Sequence, residues 1–169
     1  GRVARIKPPI AARLYPSAEH FSNIYNDDRL RAKLELKANY IQLMSELKEL
    51  GIDSPCAPVC DLSFEGASDV IGDRSFGRTP EKVIDLCKSV IAGIQRCDGL
   101  PFIKHIPGHG RSIVDSHFDL PIITATLEEL EATDFKVFKE LALEKVWAMT
   151  AHIVYTSIDP DLPATTSKR

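Results

Sequence analysis

Between Lys104 and His117 the sequence sets one lysine, three histidines and an aspartate among glycine and proline bends: Lys104-His105-Ile106-Pro107-Gly108-His109-Gly110, then Asp115-Ser116-His117 after four intervening residues. Four readings fit those residue types. His105, His109, Asp115 and His117 could ligate a metal, since imidazole and carboxylate suit zinc. HxxxH spacing converges such ligands on a helix, however, and Pro107-Gly108 breaks any helix here. Lys104 could serve as a Schiff-base nucleophile if burial depressed its pKa. The histidines could simply satisfy buried hydrogen bonds. Finally, the segment could handle a sugar. Lys104 and His105 would then donate hydrogen bonds to hydroxyls, while Asp115 orients and charges His117, which moves a proton in each step of a hydrolysis near neutral pH.

These groups need a scaffold, and hydrophobic periodicity supplies one. From Asp28 to Leu50 the chain reads as a long helix, with Leu36, Tyr40, Leu43, Leu47 and Leu50 in one stripe and Leu30, Leu34, Ile41 and Met44 beside it. Asp27 or Asp28 can cap its start and Gly51 its end. Cys56-Ala57-Pro58-Val59-Cys60 suits a short buried strand, although Pro58 cannot donate a ladder hydrogen bond. A polar loop over 61–79 follows. Thr79-Pro80-Glu81 then opens a helix carrying Val83, Leu86, Cys87, Val90, Ile91 and Ile94, which Asp98-Gly99 ends. Pro101 to His105 reads as the next strand, and a loop runs from 106 to about 125. Thr126-Leu127-Glu128-Glu129 is a capping box whose helix continues through Phe135, Phe138 and Leu141. Val146 to Ala151 is the third strand, with a possible fourth contribution before Tyr15, and 159–169 reads as loop.

Alternating helices and strands, with polar clusters just after strand ends, mark an α/β fold with a parallel sheet. A closed (β/α)8 barrel takes about 250 residues, so a 169-residue chain is expected to be part of such a barrel, truncated at both ends. With 44% hydrophobic and 27% charged residues the composition is that of an ordinary globular chain. A net charge of −3 argues against nucleic acid or an anionic membrane surface as partner and favours a small neutral or weakly anionic substrate. Cys56, Cys60, Cys87 and Cys97 form no CxxC pair, and Cys87 and Cys97 fall in the amphipathic helical pattern. Reduced packing thiols and a cytoplasmic setting are expected from that.

The run Lys104 to Gly110, followed at fixed distance by Asp115-Ser116-His117, resembles the signature of glycoside hydrolase family 3 β-N-acetylglucosaminidases. Ala57-Pro58-Val59-Cys60-Asp61 and Val70-Ile71-Gly72-Asp73-Arg74-Ser75-Phe76-Gly77 are similar to the family's preceding strand and loop, and Gly1-Arg2-Val3-Ala4-Arg5 to the end of an earlier segment. The resemblance implies that 1–169 is a partial (β/α)8 catalytic domain of a β-N-acetylhexosaminidase. It implies that Arg5, Arg74, Lys104 and His105 hold N-acetylglucosamine and that His117 is the acid/base with Asp115 as its partner. For Arg74 an ion pair with Asp73 or Asp61 is the structural alternative. His109 would shape the loop, Asp119 would bond within it, and His20 and His152 would be structural. The family's aspartate nucleophile has no counterpart among these 169 residues, so the chain alone is expected to be inactive; a non-catalytic sugar-binding fragment and a metal-dependent hydrolase are the alternatives. The implied chemistry is retaining hydrolysis of N-acetylglucosaminyl-anhydro-muramyl fragments during bacterial cell-wall recycling. It needs no metal or other cofactor, no membrane and no nucleic acid, and the whole enzyme would act as a monomer.

Overall fold

The computed structural model describes residue 6, residues 9–10, residues 13–115 and residues 118–169. Helix α1 (Ala18–Asp27) starts where the Ser17 hydroxyl accepts from the His20 N–H, and α2 (Arg29–Glu49) where the Asp28 carboxylate accepts from the Arg31 N–H at 2.9 Å. The expected long helix is therefore α2. Its inward stripe is narrower than periodicity suggested: Ala32, Leu36 and Met44 are buried, whereas Leu30, Leu34 and Leu50 face outward. Helix α1 has no counterpart in the sequence reading.

Helix α3 (Pro80–Gln95) has Pro80 in its first turn as expected, although the Thr79 side chain makes no capping bond. Cys97 lies two residues beyond its end rather than within it. Val83, Leu86, Cys87, Val90, Ile91 and Ile94 all point inward. Strand β1 (Phe102–Ile106) follows, then the two-residue β2 (Ile122–Ile123), α4 (Leu127–Ala132), α5 (Asp134–Leu141), β3 (Trp147–Thr150) and β4 (Val154–Tyr155). The capping box forms in full, with Thr126 and Glu129 each accepting from the other's backbone N–H. The single helix expected from it is two. Thr133, at φ −124° and ψ −92°, interrupts the run between α4 and α5.

Strand β1 pairs in parallel with β3, and β2 with β4. On its other side β1 meets the expected first strand, which is reduced to an extended segment with one parallel bridge between Val59 and Lys104. Pro58 has no N–H, so this segment contributes carbonyls instead. Ala57 accepts from Phe102, Pro58 from Lys104, and the Cys60 N–H donates to the Lys104 carbonyl at 2.7 Å. No strand occurs before Tyr15 among the described residues, and β2 lies inside the span expected to be loop.

Helix α1 packs on α2, α2 on α3 and α3 on α5, and α5 meets β1. Phe21, Leu36, Met44, Leu86, Val90, Ile103, Val137 and Leu141 join in one core cluster, and each fully buried large side chain contributes about 1.5–3 kcal/mol. A smaller cluster, Ile123, Leu130, Ala151, Ile153 and Tyr155, ties α4 to β2 and β4. The four residues of β3 are exposed. All four cysteines are free, with Cys60 and Cys87 buried. Among the described residues no helix is long and apolar enough to cross a membrane.

Candidate active site

Lys104 and His105 stand at the C-terminal end of β1, where an α/β sheet opens toward its ligands. The strand's register against β3 shifts between Lys104 and Ile106. The Ala57–Pro58, Lys104–His105 and Ile106–Pro107 peptide bonds are cis. Beyond the strand the chain turns tightly, with the Gly108 N–H donating to the His105 carbonyl at 2.7 Å and the Ser112 N–H to the His109 carbonyl at 3.1 Å.

Asp61 holds this turn from below. Its side chain is fully buried, and one oxygen accepts the backbone N–H of His109 at 2.7 Å and of His105 at 3.2 Å. Its other oxygen lies 2.7 Å from His105 Nδ1. Burial by itself pushes the carboxyl upward. The His105 ring bond and charge and the two backbone N–H groups outweigh that and hold Asp61 below the usual carboxylate range. The sequence reading considered Asp61 only as a possible partner of Arg74. The signal that could have found it is its position directly after a strand-like run.

A second buried carboxylate, Asp134 at the start of α5, stands beside the same turn. It accepts from Arg111 Nε at 2.7 Å and from the Thr133 hydroxyl at 3.0 Å, both through Oδ2. The Arg111 guanidinium also lies 4.1 Å from the centre of the Phe64 ring. Burial lifts Asp134 above the ordinary carboxylate range by more than the Arg111 bond and charge lower it. The Tyr155 hydroxyl donates to the Gly108 carbonyl. Two glycines make these approaches possible. A Cβ on Gly110 would sit 1.8 Å from the Leu62 carbonyl oxygen, and one on Gly108, whose φ is +141°, 2.8 Å from Asp134 Oδ1. Asp134, Arg111 and Tyr155 were not anticipated from sequence.

The Arg74 loop is fastened alongside. The Ser75 hydroxyl donates to the Asp61 carbonyl at 2.8 Å, and the Ser63 N–H to the Gly77 carbonyl at 2.9 Å. Arg74 Nη1 donates to the Val70 carbonyl at 3.0 Å. Lys104 is lowered from its ordinary value first by burial and then by the nearby Arg74 charge, so the structure brings Arg74, Lys104 and His105 into one neighbourhood. That depression is the condition the Schiff-base reading set for Lys104, and it equally suits a desolvated hydrogen-bond donor.

Asp115 is half-buried in the loop, and its carbonyl accepts from the Phe118 and Asp119 N–H groups at 3.0 and 3.1 Å. Its charge bears on His109, whose imidazole burial pushes below its usual pKa. Arg5 and His117 lie outside the described residues, and with them the expected Asp115–His117 dyad. His109 and Asp119 do shape the loop, Asp119 by accepting from Leu120. His152 bonds Thr165. No group of three or more His, Cys, Asp or Glu side chains converges to hold a metal ion among the described residues. A cavity of about 290 Å³ opens next to the turn, lined by Ile106, Pro107, Phe135, Thr150 and Tyr155 among others. It does not include Arg74, Lys104, His105 or Asp115.

The arrangement offers a cluster of hydrogen-bond donors, with charge held by buried acids, at the mouth of a parallel sheet. Known proteins are similar to the chain as a whole. The family described as "Glycosyl hydrolase family 3 N terminal domain" matches residues 1–169. A beta-hexosaminidase of Alkalilimnicola ehrlichii is 38% identical over 168 residues, covering 99% of this chain and 47% of that protein. The crystal structure of NagZ from Neisseria gonorrhoeae in complex with N-trifluoroacetyl-D-glucosamine superposes with a TM-score of 0.91 at 36% identity, covering 99% of this chain and 48% of that one. A zinc ion complex of NagZ from the same organism gives 0.88 at 35% identity, covering 96% and 47%. The chain thus spans about half the length of the curated relatives it matches. Its α/β architecture is that of part of a (β/α)8 barrel.

Proposed function

Because the chain belongs to the glycosyl hydrolase family 3 N-terminal domain family, we propose that the whole protein is a β-N-acetylhexosaminidase and that 1–169 forms part of its (β/α)8 catalytic domain. The observation that carries this reading is the seating of Lys104 and His105 at a strand end, pinned by buried Asp61, with the Arg74 loop fastened beside them. The N-trifluoroacetyl-D-glucosamine held by a structural neighbour supports a terminal β-linked N-acetylglucosamine as the sugar recognised.

In this reading Arg5, Arg74, Lys104 and His105 bind the sugar, and Lys104 supplies donors only, because an ammonium has no acceptor. His117, charged and oriented by Asp115, protonates the leaving oxygen while a carboxylate attacks the anomeric carbon and forms a glycosyl-enzyme. His117 then takes a proton from the water that releases the sugar, so configuration is retained. The substrate class is N-acetylglucosaminyl-anhydro-muramyl peptides, handled in the cytoplasm by a monomer without a cofactor. No nucleophile is assigned within these 169 residues, so the chain alone is expected to turn over nothing.

The test is hydrolysis of N-acetylglucosaminides with graded leaving groups. His117→Ala should slow poor leaving groups most, and Lys104→Met should raise KM about tenfold. Equal losses for every leaving group would remove His117 from the acid role, and ordinary turnover by the 169-residue chain would overturn its expected inactivity. A second reading, metal-dependent hydrolysis, is favoured by the zinc complexes of two structural neighbours. The described residues offer no converging ligand set for it, and activity that fell with chelator and returned with zinc would establish it.

A further inference from the structure

We propose that Asp61 is a positioning residue that fixes His105 as the Nδ1–H tautomer, so that Nε2 is offered to a ligand as a hydrogen-bond acceptor. The sequence reading made His105 a donor. Three N–H groups converge on the Asp61 carboxylate: the backbone of His105, the backbone of His109 and the His105 ring. An ionised carboxylate only accepts, so the proton of the short contact between His105 Nδ1 and Asp61 belongs to the imidazole. With the ring neutral, as proposed, that is its single N–H and Nε2 is left with its lone pair, whereas a charged ring, which would lower Asp61 by its charge as well, would carry a proton on both nitrogens.

The surroundings fit this assignment. The Asp61 side chain is 0% exposed, whereas the His105 side chain keeps 18%, so the ring joins a sealed carboxylate to a partly accessible surface. Nε2 has no hydrogen-bond partner among the described residues. The ring is steadied further by an edge-on contact with His109, centroids 5.6 Å apart. Lys104, next in the chain, can only donate. A donor at Lys104 and an acceptor at His105, neighbours in the chain, match the chemistry of hydroxyl groups, each of which both gives and takes a hydrogen bond. Only this last step, the naming of a sugar hydroxyl as the group that donates to Nε2, rests on the proposed function.

Nitrogen-15 NMR of the histidine-labelled protein at neutral pH tests the assignment, with His105→Gln identifying the signals. The expected result is a protonated Nδ1 and an unprotonated Nε2. In Asp61→Asn the tautomer should shift toward Nε2–H, and affinity for N-acetylglucosamine should fall about tenfold. An Nε2–H or doubly protonated His105 in the unchanged protein overturns the proposal, as does a folded Asp61→Asn with the same tautomer. Should that variant not fold, the tautomer of the unchanged protein decides alone. Failure of N-acetylglucosamine to bind the unchanged protein would count against the sugar reading and leave the tautomer result standing.

Discussion

Two buried carboxylates flank the turn after β1, and their environments drive them in opposite directions. On the Asp61 side three N–H groups converge on one carboxyl, and it is held below the ordinary carboxylate range despite complete burial. On the Asp134 side an arginine lies within 2.7 Å, yet the carboxyl is raised. Donors and charge together outweigh burial at Asp61, whereas the Arg111 bond and charge do not outweigh it at Asp134. Asp134 engages through Oδ2, while Oδ1 is buried without a hydrogen-bond partner among the described residues. Each unsatisfied lone pair makes the charge costlier to keep away from water. The first region is built to hold a charge. The second tolerates one.

The largest expected effect that would sharpen this contrast comes from Asp61→Ala, which leaves three donors facing a cavity. A loss of about 3 kcal/mol or more in urea unfolding is expected. A loss below about 1 kcal/mol would mean that the clamp is incidental. Next comes Gly110→Ala, which drives a methyl group into the Leu62 carbonyl on the Asp61 side. It should cost about 2–3 kcal/mol in a thermal melt, and an unchanged melt would show that the turn does not rest there.

The third test uses pH. The stability that Asp61 contributes is complete above the ordinary carboxylate value of about 3.9 and is lost as pH falls through its lowered native value. Asp134 has the opposite sign. Its charge is a destabilising contribution above its raised native value, and that contribution disappears as pH falls from there to about 3.9. Asp134→Asn should accordingly be most favourable relative to the unchanged protein at neutral pH, with the gap closing toward pH of about 4. A gap that widens on acidification would break the comparison. The smallest effect is that of Asp134→Asn itself at neutral pH, within about 1 kcal/mol in either direction by urea unfolding.

Much of the scaffold was legible in the sequence because its causes are local. Pro80 in the first turn and the spacing of Val83, Leu86, Val90 and Ile94 specify α3 without reference to the rest of the chain. Thr126 and Glu129 specify the start of α4 in the same way. The break at Thr133 was not legible, because its hydroxyl serves a partner that folding brings there: it accepts from Arg111, 22 residues away, at 3.0 Å. Strands β2 and β4, two residues each, exist only through their mutual pairing and carry no pattern long enough to read. Leu30 and Leu34 belong to the apolar run of α2, but no element among the described residues covers them.

In the candidate site the order of groups along the chain was readable. Lys104 and His105 are chemistry-bearing residues in the last part of a strand-like run, and Arg74 and Asp115 lie in the loops that follow such runs, so their types and spacing define the kind of chemistry available. Local sequence could not say which carboxylate meets the His105 ring, since that carboxylate comes from 44 residues away. Nor could it say which acid keeps its charge easily, because ionisation is set by desolvation and by donors from distant segments. The sequence by itself determined the helices, their caps and the presence of a histidine at the end of β1. Only the tertiary structure decided that a sealed aspartate grips that histidine through Nδ1, and hence which face of the imidazole remains for a ligand.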